Sequence, residues 1–146
     1  MRLYHFCAAA FLEKIKREGL TLGATPVQVS GRLFLVPKTQ WLTVRAEFDQ
    51  YWNGMVTLPY DRTAYRIEVK VPHDRARDLL DWATLKGRLQ KIHGANCILT
   101  DFDVPEAHPE DWRIYLGHIK PQWLRKVVAN PHPVESRIQG LEIGVE

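Results

Sequence analysis

The segment Tyr65-Arg66-Ile67-Glu68-Val69-Lys70-Val71 alternates apolar and charged residues without a break, the period of a strand with one buried and one wet face. Pro72 ends it. Trp112–Ile119 repeats the pattern, with Trp112, Ile114 and Leu116 inward against Arg113 and Tyr115. Residues 2–6 predict a short first strand, Arg32–Val36 a buried strand stopped by Pro37, and Asn96–Thr100 another buried strand. Helical spacing replaces alternation over Ala8–Glu18, where Phe11, Leu12 and Ile15 share a face opposite Glu13, Lys14, Lys16 and Arg17. Gly19 stands where a left-handed residue closes such a helix. Leu79, Trp82, Leu85, Leu89 and Ile92 recur at helical spacing from Asp74 onward, with Gly87 as the place where the run divides and Gly94 as its end. Thr39 predicts an N-cap for a helix carrying Trp41, Leu42, Phe48 and Trp52, ended by Asn53-Gly54. Pro121 predicts the first turn of a last helix through Val128. Residues 20–31, 53–63 and 101–111 predict loops, the first with a short extended piece at Val27–Val29.

Strands interleaved irregularly with short helices predict an α+β domain rather than a regular βαβ series. A length of 146 residues predicts one domain over residues 1–146, with residues 130–146 a tail or an edge strand. No run approaches the roughly 20 apolar residues that span a bilayer, and Glu13, Lys14 and Lys16 interrupt any signal-peptide core. Cys7 and Cys97 alone give no disulfide framework. A cytoplasmic protein without a membrane partner is therefore expected. Residues 1–73 hold ten Lys and Arg against six Asp and Glu, whereas 74–146 hold ten against eleven. The basic half is compatible with nucleic acid, but an ordinary solvated surface is the better reading of so small a net charge.

Candidate chemistry is sparse. His5, on the first strand, either satisfies a buried hydrogen bond or faces a ligand with its two ring nitrogens. Cys7 lies on the same face of that strand, but as a small hydrophobe it needs no catalytic role. His93 and Cys97 are separated by a glycine and have no second pair, so no metal site is expected. Five acids crowd residues 101–111 without a Lys or Arg. Tyr51 and Tyr60, beside turns, are freer to stack a nicotinamide or nucleobase than Trp41 and Trp52. No glycine-rich phosphate loop is present.

Tyr4-His5-Phe6, the helix after it and Glu18-Gly19-Leu20 resemble the N-terminal signature of ADP-ribosyltransferase-like proteins, especially the small DNA-modifying toxin branch. Leu33-Phe34-Leu35-Val36 with Thr39, then Arg66–Val71, then Arg113–Leu124 resemble later parts of that fold in the right order. The resemblance implies two packed, mostly antiparallel sheets with NAD, as substrate, in a cleft between them. It implies that His5 contacts the adenosine ribose, with Phe6 and Cys7 on the adjoining backbone, and that the acceptor is nucleic acid or protein; Tyr51, by stacking, and Arg113, through phosphate, complete the candidate nucleotide contacts. Two positions depart from the family pattern. Cys7 stands where the toxin branch has Thr or Ser, and Arg113 stands where the glutamate of the last strand is expected, leaving Glu110 and Asp111 as the candidate catalytic acids. Arginine at that place is closer to the RNA 2′-phosphotransferase relatives, for which Arg32, Arg66 and Arg113 are the candidate phosphate contacts. A catalytically inactive module binding a nucleotide, nucleic acid or protein is the remaining alternative.

Overall fold

A five-residue strand, β1 (Leu3–Cys7), runs through the middle of the main sheet. The computed structural model describes residues 2–48, 62–94 and 103–131. On one edge β1 pairs along its whole length with β5 (Tyr65–Val69), Leu3 opposite Val69 and Cys7 opposite Tyr65. On the other it meets β4 (Thr39–Thr43) through the single pair Tyr4–Thr43. β4 continues to β7 (Trp112–Leu116) and β7 to β6 (Leu79–Asp81), while β5 continues to β8 (Leu124–Ala129). The result is a six-stranded antiparallel sheet in the order β6-β7-β4-β1-β5-β8. β2 (Ala24–Val29) and β3 (Arg32–Pro37) form a separate antiparallel hairpin. With helices α1 (Ala9–Glu18) and α2 (Trp82–His93), the fold is α+β.

Both faces of the main sheet are covered, because alternate residues along each strand feed two different cores. Trp112 and Ile114 of β7 join Val27 of the hairpin and Trp82, Leu85 and Leu89 of α2 on one face. Tyr115, Leu42, Leu3, Cys7, Ile67 and Val69 form the other core, against which Leu12 and Ile15 of α1 pack. Trp41, Trp82 and Trp112 meet pairwise with ring centroids 4.9–5.5 Å apart, within the range where aromatic edges and faces attract.

The alternating and amphipathic segments form as the pattern predicts: β1, α1, β5 and β7 each lie within a residue or two of their expected limits, apart from the C-terminal end of β7. Several expectations differ. Thr39–Thr43 is a strand and not the start of a helix; threonine suits a strand as well as a cap, and Thr39 is buried against Thr25, hydroxyl to hydroxyl at 2.8 Å. Pro121–Trp123 is one 3-10 turn that leads into strand β8, so the helix through Val128 is absent; β-branched Val127 and Val128 pair with Ile67 and Arg66. The run from Asp74 is broken at its start, with a 3-10 turn at His73–Asp78 and β6 preceding α2. Asp81 caps α2 by accepting from the Thr84 N–H at 2.8 Å, and Gly87 is accommodated inside it. β3 is a strand as expected but not a buried one: Leu33 and Leu35 are exposed on the two-stranded hairpin. The strand expected at Asn96–Thr100 and the segment at Asn53-Gly54 lie outside the described residues, as does all but the start of the tail expected at 130–146.

Candidate functional site

β1 and β4 part immediately after the Tyr4–Thr43 pair. In a continued ladder Phe6 would lie opposite Trp41. Instead the His5 ring reaches across, and its Nδ1 donates to the Trp41 carbonyl at 3.1 Å. A cavity of about 560 Å³ opens at this gap. It is lined by His5, Cys7, Gln40 and Leu42 from the α1 side of the sheet and by Tyr4, Phe6, Trp41 and Trp112 from the α2 side. Residues from both faces of the sheet line this one cavity, at the place where the β1–β4 pairing stops. The volume lies within the range of small-molecule sites, about 300–1,000 Å³.

His5 is half-buried and lines this cleft. Burial lowers its pKa below the ordinary 6.5, and the Trp41 carbonyl opposes that shift only partly. The neutral ring carries its proton on Nδ1, because only a protonated Nδ1 can donate to a carbonyl. Nε2 is then a hydrogen-bond acceptor, able to receive a hydroxyl or amide proton from a ligand. Cys7 is buried, and burial pushes its thiol up to about 11. At neutral pH it is a thiol, which makes it a wall and not a nucleophile.

The cleft wall next to β4 depends on Gln40. Its side chain is buried, accepts from the Gly23 N–H at 2.9 Å and donates to the Gly117 carbonyl at 3.0 Å. Gly23 must lack a side chain, since a Cβ there would lie 2.3 Å from the Thr39 carbonyl oxygen. Gly19 closes α1 with φ +82°, and a Cβ on it would lie 2.0 Å from the Ile119 carbonyl oxygen. These two glycines bring the segment from Gly19 to Ala24 against the main sheet, where it lines the cleft together with Phe11, Lys14 and Ile15 of α1. The Trp41 indole N–H donates to Thr25 Oγ1 at 3.1 Å, which fixes the ring.

Beyond β4 the chain carries charge into the cleft. Arg45 and Glu47 both line it, with Arg45 Nε 3.6 Å from Glu47 Oε2. The segment is held by the Arg45 N–H donating to Thr43 Oγ1 and by Arg66 Nη1 donating to the Ala46 carbonyl at 2.7 Å. The Arg66 guanidinium also lies 5.2 Å from the centroids of both the Tyr4 and Phe48 rings. Among the described residues the cleft lining contains the cations Lys14, Arg45 and Arg62 against one carboxylate, Glu47.

Of the residues singled out from sequence, His5, Phe6 and Cys7 line the cleft, and Tyr51 lies outside the described residues. Glu110 and Asp111 end a 3-10 turn just before β7 and are not among the lining residues, but their neighbour His108 is. One ligand atom from each of His108, Glu110 and Asp111 lies within 4.8 Å of the others, with His108 Nδ1 3.5 Å from a Glu110 oxygen. Arg113 donates to the carbonyls of Glu110 and Trp112, so its guanidinium caps the preceding turn. None of Arg32, Arg66 and Arg113 lines the cleft. Gln40, Arg45, Glu47 and His108 are lining residues that the sequence pattern did not single out. Compared with known protein families, curated proteins and solved structures, the chain matches none.

Proposed function

We propose that the cleft between β1 and β4 binds an NAD-type dinucleotide, and that the protein is an ADP-ribosyltransferase-like enzyme acting on a nucleic-acid or protein acceptor. The observation that carries this reading is His5 held by the Trp41 carbonyl in the gap between the parted strands, with Nε2 left as an acceptor. A ribose hydroxyl is a donor of the right kind for that nitrogen. Aromatic rings on the cleft wall suit a base, and the excess of cations over carboxylates suits a diphosphate.

Transfer would break the glycosidic C–N bond of the nicotinamide riboside, the bond pair leaving with neutral nicotinamide. A bond then forms between the ribose carbon and an acceptor oxygen or nitrogen, whose proton passes to a base or to solvent. The positive charge that builds on the ribose is stabilised by a nearby carboxylate. The Glu110–Asp111 pair beside the cleft-lining His108 is the group available for that role. A binding module without transfer is the second reading, favoured by Arg113 at the head of β7 where the resemblance places a glutamate.

Incubation with labelled NAD and separate DNA, RNA and protein acceptors tests the reading. Label is expected in one acceptor class and is expected to be lost in His5→Ala. Stabilisation by NAD without any transferred label would establish the binding module instead. Absence of both would refute the proposal.

A further inference from the structure

Arg45 is only half satisfied. Its Nε is buried and has no hydrogen-bond partner, although the side chain as a whole is 38% exposed. Glu47, whose side chain is 68% exposed, stands 3.6 Å away, close enough to balance the charge but too far to hydrogen-bond. An orphaned N–H on a guanidinium is costly where water cannot reach it, so this geometry favours an incoming acceptor. The backbone of the segment is meanwhile fixed at both ends, by Thr43 Oγ1 on the Arg45 N–H and by Arg66 on the Ala46 carbonyl. The backbone that carries Arg45 is therefore fixed while the Nε–H donor of its guanidinium lacks an acceptor.

We infer that Arg45 is the phosphate-binding residue of the cleft, taking the diphosphate of an ADP-ribose-type ligand in place of Glu47. The planar guanidinium offers two parallel N–H donors to phosphate oxygens, a match that a single exposed carboxylate at 3.6 Å does not reach. Lys14, on the α1 wall, adds a second positive charge to the same cavity. Glu47 then acts as a counter-ion that holds Arg45 in the free protein and opposes the anion that replaces it. This inference deepens the dinucleotide reading and rests on it for the identity of the ligand, though not for its charge.

Calorimetric titration of the full chain with ADP-ribose, adenosine and inorganic pyrophosphate tests it, using wild type, Arg45→Gln and Glu47→Gln. Arg45→Gln is expected to weaken ADP-ribose and pyrophosphate by about tenfold or more, the size of a lost charged hydrogen bond, and to change adenosine by less than about twofold. Glu47→Gln is expected to tighten ADP-ribose and pyrophosphate severalfold, a gain that misfolding cannot mimic. Equal weakening of adenosine and ADP-ribose by Arg45→Gln, or weaker ADP-ribose binding by Glu47→Gln, would overturn the assignment. Arg45-dependent binding of pyrophosphate with no binding of adenosine or ADP-ribose would keep the anion site and refute the dinucleotide. ADP-ribose binding indifferent to Arg45 would do the reverse, and absence of all binding would refute both.

Discussion

Gln40 offers a sharp test of how the cleft is held open. Its side chain is 2% exposed and joins two separate parts of the chain, the Gly23 N–H at 2.9 Å and the Gly117 carbonyl at 3.0 Å. Gln40→Leu keeps much of the volume and removes both bonds. Each half-buried backbone group left without a partner costs about 1–3 kcal/mol. Taking about 1–1.5 kcal/mol for each, the low end of that range, because Gly23 and Gly117 are themselves only half-buried, the loss is about 2–3 kcal/mol. That is a large part of a typical stability of about 5–15 kcal/mol, and it lowers the melting midpoint by roughly 5–12 °C. Gln40→Glu adds a pH signature. The carboxylate still accepts from Gly23 but turns an oxygen toward the Gly117 carbonyl, so its folded pKa rises above the ordinary carboxyl value of about 4.3. A raised carboxyl pKa means the folded state binds the proton first, so the deficit of Gln40→Glu shrinks as pH falls through the folded pKa. Urea denaturation at several pH values measures both effects. A cost below about 0.5 kcal/mol for Gln40→Leu, the range of an ordinary surface change, would refute the bridging role. So would a Gln40→Glu deficit that is flat with pH.

Three further outcomes follow from the same geometry. His5 has a lowered folded pKa, so between that value and 6.5 the unfolded chain binds the extra proton and wild-type stability declines as pH falls. His5→Asn, whose amide can still donate to the Trp41 carbonyl, is expected to lose this component; an unchanged wild-type-minus-variant difference between pH 7.5 and 5 would contradict it. Cys7, with a buried thiol pushed up to about 11, is expected to resist iodoacetamide at neutral pH in the folded protein and to react on unfolding, followed on the Cys7 peptide by mass spectrometry. Rapid alkylation of the native protein would show that the thiol is accessible. Trp82 Nε1 is buried without a hydrogen-bond partner, so Trp82→Phe is expected to cost less than about 1.5 kcal/mol while Trp82→Ala costs about 3–5 kcal/mol. Similar costs for the two would mean that the indole nitrogen is satisfied.

Much of the fold was legible because its signals are local. The unbroken alternation of Tyr65–Val69 and the apolar stripe of α1 each depend on one element alone. Thr39–Thr43 misled because threonine favours both caps and strands, and the deciding contacts, Thr25 and β7, come from distant sequence. Tyr115 looked outward by alternation, yet it is buried, because a sheet covered on both faces buries both sets of residues. His5 drew notice as a polar group on an apolar strand. Gln40, Arg45 and Glu47 did not, since nothing in their neighbours distinguishes them. Their importance arises from the parting of two strands, which depends on register and leaves no periodicity in the sequence.

Hydrogen exchange with and without saturating ADP-ribose addresses the central claim most directly. Protection is expected to concentrate at residues 5–7, 20–24 and 40–45, the two parted strands and the segment that faces them, and to vanish in His5→Ala. Protection confined to β8 and the outer surface of the hairpin, or none at a ligand concentration that binds, would contradict a nucleotide site between β1 and β4.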